Sequence, residues 1–210
     1  MGFFDGPSRL DRALDAFDQR EWRRARRLFE QTAVEQRRAT GDYHLGLLYW
    51  RGLGGKRDAP LAVECFARAA EAGHPAAETA YGIALRSGVG ALKDNERARS
   101  FFRSAAGAGD RDAMVQLATT SEPDEARRWL LRASELGHAP AMLHLADMLM
   151  SEEPIEALTW LYASVALSGN DAARKRAGQL AREMSAAEIE AAQRAGRVYA
   201  RDIHQRARDR

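Results

Sequence analysis

The chain of 210 residues is long enough for one ordinary domain or one array of helical repeats, and its hydrophobic content of 45% is normal for a folded protein. Charged residues make up 30% of the sequence but nearly balance to a net charge of +2, so the composition does not favour a general polyanion-binding protein. No stretch approaches the roughly 18 apolar residues of a membrane span, and the first residues lack the pattern of a signal peptide, so we expect a cytoplasmic protein that does not engage a membrane.

Residues 8–37 contain two short amphipathic stripes and are predicted to form a helix pair. Spacings of three and four residues place the side chains of each stripe on one helical face. The first stripe comprises Leu10, Leu14 and Phe17, and the second comprises Trp22, Ala25, Leu28, Phe29 and Ala33. The second helix also contains an arginine-rich run, WRRARRLFEQ. Because these arginines are distributed around much of the helix, we interpret them as a solvated surface, with nucleic-acid binding as the alternative.

Residues 39–170 repeat one pattern, which is clearest in the segment LGLLYWRGLGGKRDAPLAVECFARAAEAGH at 45–74. Its closing residues, AAEAGH, return as AAGAGD, ASELGH and, more loosely, ALSGND. A small residue stands nine positions after the glycine of each closing segment, where it would let a neighbouring helix approach closely. These small residues are Gly82, Ala118, Ala146 and Gly178, and Gly46 holds the same place in the first unit.

The residue pattern of each repeat also predicts a second helix. In that helix an alanine is followed, three and four residues later, by a pair of bulky side chains. The alanines are Ala62, Ala98, Ala126 and Ala157. The expected N-caps are Asp58, Asp94 and Asp110, and the expected helix ends are Gly73, Gly109, Gly137 and Gly169. One such hairpin cannot bury its apolar stripe alone, whereas stacked copies can, so the pattern predicts a solenoid.

These repeats resemble the Sel1-like repeat, a relative of the tetratricopeptide repeat. In the first unit the resemblance is found at Leu45, Gly46, Tyr49, Gly52, Gly54, Asp58, Ala62, Phe66, Ala69, Ala70 and Gly73. In the second unit it is found at Gly82, Gly88, Gly90, Asp94, Ala98, Phe102, Ala105, Ala106 and Gly109. The third and fourth units lack the G-x-G loop and have the shorter links TTSEPDE and MSEEPIE in its place. The resemblance implies an all-α, right-handed α-solenoid of stacked helix-turn-helix repeats that serves as a protein-interaction scaffold.

The predicted organisation is a single α-solenoid domain over residues 1–210. It consists of a tetratricopeptide-like N-terminal helix pair (8–37), repeat 1 (39–74), repeat 2 (75–110), the shortened repeats 3 (111–138) and 4 (139–170), and a C-terminal helix pair (171–205). The last helix is expected to begin at a capping box formed by Ser185 and Glu188, and to cap the end of the stack.

No pattern in the sequence predicts catalysis, a metal site or a cofactor. The five histidines form no metal-binding motif with neighbouring His, Cys, Asp or Glu residues. The loop RGLGGKR at 51–57 has the glycines and lysine of a phosphate-binding loop, but arginine follows the lysine and a helix is expected before the loop. The single cysteine, Cys65, excludes an intramolecular disulfide and is expected to be a buried structural thiol. We therefore expect a non-enzymatic protein without a cofactor.

The candidate partner-binding surface is the concave side that the first helices of the repeats are expected to form. Its residues are Tyr43, His44, Leu47, Trp50, Thr79, Ile83, Arg86, Gln116, His144, Asp147 and Arg176. Aromatic and arginine side chains suit a protein or peptide partner that has an apolar anchor and acidic residues. In the alternative, Tyr43, Leu47 and Trp50 pack on the N-terminal helix pair. Nucleic-acid or other polyanion binding through the arginine faces is the alternative function, and self-association is a further interpretation.

Overall fold

The computed structural model describes residues 7–32 and 38–209. Within those ranges the secondary structure is helical and contains no strand, which confirms the predicted all-α fold. The helices are α1 (Arg9–Asp18), α2 (Trp22–Gln31), α3 (Arg38–Arg51), α4 (Ala59–Glu71), α5 (Pro75–Ser87), α6 (Asn95–Gly107), α7 (Arg111–Ala118), α8 (Pro123–Glu135), α9 (Ala139–Leu149), α10 (Pro154–Ser168), α11 (Asp171–Leu180) and α12 (Ala186–Arg208), with a 3-10 turn at Ala181–Glu183. Ala33, predicted as the end of the second stripe, lies outside the described residues.

These helices group into two compact units, whose boundary lies between Ala113 and Met114, inside α7. In the first unit α1 packs with α2, α3 with α4, and α5 with α6, while contacts of α2 with α3 and of α4 with α5 join successive hairpins. In the second unit α9 packs with both α8 and α10, and α10 packs with α11 and α12. The first unit is therefore built from consecutive helical hairpins, as the repeat pattern predicts, whereas the last helix of the second unit, predicted to pair with α11, packs mainly on α10.

The helix boundaries follow the capping residues expected from the sequence. Asp58, Asp94 and Asp110 each accept a hydrogen bond from the backbone N–H three residues later, at 2.8 to 3.1 Å. At the start of α12, Ser185 and Glu188 form the predicted capping box. These side chains satisfy N–H groups that have no partner inside the helix, so they fix where each helix begins.

Glycines inside the first helices of repeats 1 and 2 lie against phenylalanine rings of the second helices. A Cβ atom added at Gly46 would lie 2.5 Å from the ring of Phe66, and one added at Gly82 would lie 2.6 Å from that of Phe102. The predicted close helix approach is therefore confirmed at these two positions. At Gly178 the same prediction is wrong, because no neighbouring atom lies within 4 Å of an added Cβ and α12 packs on α10 instead.

The two G-x-G loops pack against the first turn of the second helix in the preceding hairpin. Gly90 has a φ of +78°, and a Cβ atom added there would lie 2.6 Å from the carbonyl oxygen of Ala59 in α4. Gly54, with a φ of +75°, approaches the carbonyl group of Trp22 in α2 in the same way. Both loops need glycine for the left-handed backbone conformation and for the close contact that joins successive hairpins.

The longest helix, α12, lies across α10, and a glycine again permits the approach. A Cβ atom added at Gly196 would lie 2.8 Å from the carbonyl oxygen of Thr159 and 2.9 Å from the Cβ of Tyr162. One turn later Tyr199 stacks on the buried Trp160, with ring centroids 4.8 Å apart. The C-terminal helix thus packs onto the preceding hairpin through both backbone and ring contacts.

Candidate partner-binding surface

The candidate contact residues are divided between the two units. In the first unit they are Tyr43, His44, Leu47 and Trp50 on α3, and Thr79, Ile83 and Arg86 on α5. In the second unit they are Gln116 on α7, His144 and Asp147 on α9, and Arg176 on α11. Each unit therefore has its own set of candidates.

Tyr43 and Trp50 are half-buried, and their rings lie against residues of the repeats themselves. Tyr43 stacks on His74 with ring centroids 4.8 Å apart and lies 6.2 Å from Phe66. The Trp50 ring lies 6.3 Å from Phe66 and has the Arg57 guanidinium 5.6 Å from its centroid. These contacts lie within repeat 1, rather than on the N-terminal helix pair.

His44 is the candidate that does contact the N-terminal helix pair. Its ring stacks on Phe29 with centroids 5.5 Å apart and meets Phe17 edge-on at 4.9 Å. Its Nδ1 lies 2.9 Å from the carbonyl oxygen of Thr40, one turn earlier in α3. A ring fixed on several sides in this way is mainly a packing residue, so we leave His44 out of the proposed surface.

The candidates on α5 differ in exposure. Thr79 is only 5% exposed, and its hydroxyl group donates a hydrogen bond to the Asp110 carboxylate at 3.0 Å. Because that hydroxyl is used inside the unit, Thr79 does not present its side chain to a partner, contrary to the expectation. Ile83 and Arg86 are half-buried, and the Arg86 guanidinium lies 5.7 Å from the centroid of the Phe102 ring. Both side chains keep part of their surface in solvent.

In the second unit two of the candidates bind each other. The Arg176 guanidinium lies 2.9 Å from the Asp147 carboxylate, and each side chain is 40% exposed. This ion pair joins α11 to α9. His144 is exposed one turn before Asp147. Gln116 is half-buried, and its side-chain oxygen has no hydrogen-bond partner in the described part of the chain.

Burial shifts the pKa of three side chains on or beside α3 and α4. Burial raises the pKa of the Tyr43 phenol. Burial lowers the pKa of His74, and the nearby His44 acts in the same direction. Burial also raises the pKa of the Cys65 thiol, although the Arg68 guanidinium lies 3.2 Å from its sulfur atom. The prediction that Cys65 is a buried thiol is confirmed.

Two observations on the described residues concern metal and phosphate binding. Over 7–32 and 38–209, no group of three His, Cys, Asp or Glu side chains could hold a metal ion. Two glycines of the 51–57 loop lie against α2, where Cβ atoms added at Gly54 and Gly55 would meet Trp22 and Arg26. Those glycines therefore serve the loop–helix contact. Among the helices that the structure describes, none has the length and apolar character needed to cross a membrane.

Sequence reasoning missed a pocket of about 440 Å³ at the start of α2. It is lined by Glu21, Trp22, Arg23, Arg24, Arg27 and Gly54. A signal for it was present in the arginine run, since residues 23 and 27 lie one helical turn apart on the same face. The contribution of Gly54 had no local signal, because that residue belongs to a loop of the next hairpin.

Comparison with known protein families identifies the repeats. The Sel1 repeat model matches residues 39–74, 75–110 and 116–138. No curated protein matches the sequence at a significant level.

Several solved structures share the fold. The alignment with a Sel1 repeat protein from Oxalobacter formigenes has 20% identity and a TM-score of 0.66, and covers 80% of this chain and 74% of that chain. The alignment with an immunity protein from Pseudomonas aeruginosa has 19% identity and a TM-score of 0.59, and covers 95% and 84% of the two chains. A protective antigen of uropathogenic Escherichia coli strains, which displays an SLR fold, aligns with 18% identity and a TM-score of 0.57 over 96% of this chain and 55% of that chain. At these identities the likeness establishes the fold alone. The chain therefore contains three Sel1 repeats between residues 39 and 138, in a helical fold that it shares with these structures.

Proposed function

We propose that the protein is a non-catalytic scaffold that binds a segment of a partner protein on the exposed side of α3. Sel1 repeat proteins are generally non-catalytic and commonly serve as protein-interaction scaffolds. The observation that supports this role most directly is the half-exposed set Tyr43, Leu47 and Trp50. Their spacing of four and three residues places them on one side of the helix.

The two aromatic rings of this set are already held in place. Tyr43 is fixed by its stack on His74 and Trp50 by its contact with Phe66, so each loses little side-chain entropy when a partner covers its exposed part. Large aromatic side chains of this kind are the usual hot spots of protein interfaces. Arg57, near the Trp50 ring, adds a cation that suits a carboxylate of the partner.

Affinity capture from the source cells with identification by mass spectrometry tests this proposal. The wild-type chain is compared with the triple variant Tyr43→Ala, Leu47→Ala, Trp50→Ala and with Leu61→Ala, which truncates a leucine on α4 that is 39% exposed. Circular dichroism and thermal unfolding verify that all three proteins are folded. A protein captured by the wild type and by Leu61→Ala, but lost from the triple variant, supports the α3 surface.

Other outcomes of this capture experiment distinguish an error in the proposed α3 surface from an error in the proposed scaffold role. Equal capture by the wild type and a folded triple variant contradicts the α3 surface while leaving a scaffold role. Absence of any protein captured above a bead-only control contradicts the scaffold role itself. If nucleic acid is recovered instead and is released by added salt, the polyanion-binding alternative replaces the proposal.

A further inference from the structure

We propose that the pocket at the start of α2 binds an acidic segment of a partner protein, with its carboxylates on Arg23 and Arg27 and an apolar side chain on Trp22. This site is distinct from the α3 surface. It deepens the proposed scaffold function by naming the chemistry of one bound segment, and it rests on that function.

The pocket is built by two elements that are fixed to each other. Gly54, in the loop between α3 and α4, lies against the carbonyl group of Trp22 at the start of α2. Further along the same loop, the carbonyl oxygen of Lys56 accepts a hydrogen bond from the Arg26 guanidinium at 3.4 Å. The Trp22 ring is held by an edge contact with Phe17, with centroids 5.3 Å apart. A ligand therefore meets a shallow surface pocket in which the backbone of the loop and the Trp22 ring are already held in place, which reduces the ordering cost of binding.

Two arginines of α2 are engaged within the unit. Arg24 pairs with Glu21 at 2.8 Å. Arg26 pairs with Glu30 at 3.1 Å, and its guanidinium lies 4.1 Å from the centroid of the Tyr49 ring, which ties α2 to α3. These two cations serve the fold, so they contribute less to the attraction of an external anion.

Arg23 and Arg27 are different, because both are exposed and neither has an ion pair with any described residue. They lie four residues apart on α2, so their side chains are neighbours on one face of the helix. Each guanidinium has a planar set of N–H donors that matches a carboxylate. Placed beside Trp22 in the same pocket, they combine a binding site for two carboxylates with an apolar contact.

This combination favours a peptide over a nucleic acid. Binding to a phosphate backbone depends on many cations spread along a track, whereas this pocket has two arginines without an ion pair. The Glu21 carboxylate also lines the pocket, where it is paired with Arg24, so the uncompensated positive charge of the lining is limited to Arg23 and Arg27. A peptide can direct its acidic side chains to Arg23 and Arg27 and keep neutral residues near Glu21. The small net charge of +2 likewise gives no long-range attraction to polyanions.

Selection from a displayed library of random peptides tests the proposal with the full chain as bait. The variant reverses both charges (Arg23→Glu with Arg27→Glu). The matched control makes the same change on α12, at Arg197 and Arg201, which are also exposed and four residues apart. Enriched peptides are then synthesised with a fluorescent label. Their affinities for these three proteins and for the Tyr43, Leu47, Trp50 triple variant are measured by fluorescence anisotropy at low and high salt.

We expect the wild type to enrich peptides that contain paired acidic residues beside an apolar residue. Their affinity should fall by about tenfold or more in the Arg23, Arg27 variant, stay within about twofold in the α12 control, and weaken with added salt. Enrichment of peptides without acidic residues, or equal affinity for wild type and variant, overturns the proposal. Tighter binding of a single-stranded oligonucleotide that competes with the peptides also overturns it. Peptides that lose affinity only on the triple change at Tyr43, Leu47 and Trp50 would overturn this site while supporting the scaffold function.

Discussion

The guanidinium of Arg68 on α4 lies 2.7 Å from the carboxylate of Asp42 on α3, which is only 6% exposed. In repeat 2 the equivalent positions are Ser104 and Glu78, where the hydroxyl donates a hydrogen bond to the carboxylate at 2.8 Å. Both contacts join residues that are 26 positions apart in the sequence. The two repeats therefore use the same place for a polar link between their helices, with an ion pair in one and a neutral donor in the other.

Replacing Arg68 with methionine should destabilise the protein, because the buried Asp42 carboxylate loses its guanidinium partner. We expect the free energy of unfolding to fall by about 2 kcal/mol, below the full cost of breaking a buried ion pair because Arg68 is itself 38% exposed. Urea denaturation measures the change, and a double-mutant cycle with Asp42→Ala isolates the pair. As the control, Arg103→Met on an exposed face of α6 should change stability by less than about 0.5 kcal/mol. Equal effects at Arg68 and Arg103 would contradict the role of the pair.

Substitutions at the loop glycine Gly90 and the turn glycine Gly73 separate two contributions to stability. One is the left-handed backbone conformation, and the other is the close contact with a neighbouring helix. Both glycines have a φ of +78°, but a Cβ atom added at Gly90 would meet the Ala59 carbonyl oxygen at 2.6 Å, whereas one added at Gly73 has no neighbour within 4 Å. Gly73→Ala should therefore cost about 1 kcal/mol of unfolding free energy for the left-handed backbone alone. Gly90→Ala should cost about 1–3 kcal/mol more, because the loop must move away from α4. The two variants are compared by urea denaturation, and equal losses would show that the loop contact is unimportant.

Alanine substitutions at two helical glycines of the second unit should change the free energy of unfolding in opposite directions. Gly178 in α11 has open space around an added Cβ, so Gly178→Ala should raise the free energy of unfolding by about 0.5–1 kcal/mol through helix propensity. Gly196 in α12 gains the same propensity, but its Cβ would lie 2.8 Å from the Thr159 carbonyl oxygen. Separating α12 from α10 should outweigh the gain, so Gly196→Ala is expected to be destabilising. Stabilisation by both substitutions in thermal unfolding would contradict the close packing described for α12.

The features that the sequence predicts well are those that recur with the repeat. The contact of Gly46 with Phe66 returns as that of Gly82 with Phe102, so a spacing seen twice indicates one packing rule. The caps formed by Asp58 and Asp94 follow from residue chemistry at the expected helix starts. Periodicity and local chemistry are both visible in a linear sequence.

The features that were missed depend on contacts between residues with no common pattern. Thr79 is buried, and its hydroxyl group donates a hydrogen bond to Asp110, which is provided by the turn after α6. The pocket at Trp22 is completed by Gly54 from the next hairpin. Helical-wheel reasoning assigns a side chain to a face of its own helix, but it cannot show which neighbouring element covers that face.

The imidazole of His74 should make the stability of the first unit depend on pH. Its Nδ1 lies 3.3 Å from the backbone N–H of Ala77 and accepts a hydrogen bond from it at the start of α5, and its ring stacks on Tyr43. Burial lowers the pKa of His74, with His44 acting in the same direction and Asp110 in the opposite one. In the folded protein the pKa therefore lies below the ordinary value of about 6.5, so the unfolded chain binds more protons in the interval between the two values. Stability should rise with pH through that interval and fall on acidification.

Asparagine at position 74 tests this dependence, because it is a good N-cap residue that does not titrate. We expect wild type to lose more unfolding free energy than His74→Asn when the pH is lowered from about 7.5 to about 5, since only the wild type must either protonate a buried ring or give up its cap. Urea denaturation at a series of pH values gives the two slopes. His204→Asn, at an exposed position on α12, is the matched control and should keep the slope of the wild type. If His74→Asn also keeps that slope, the pH dependence comes from other groups, and the cap and the stack on Tyr43 do not favour the neutral imidazole.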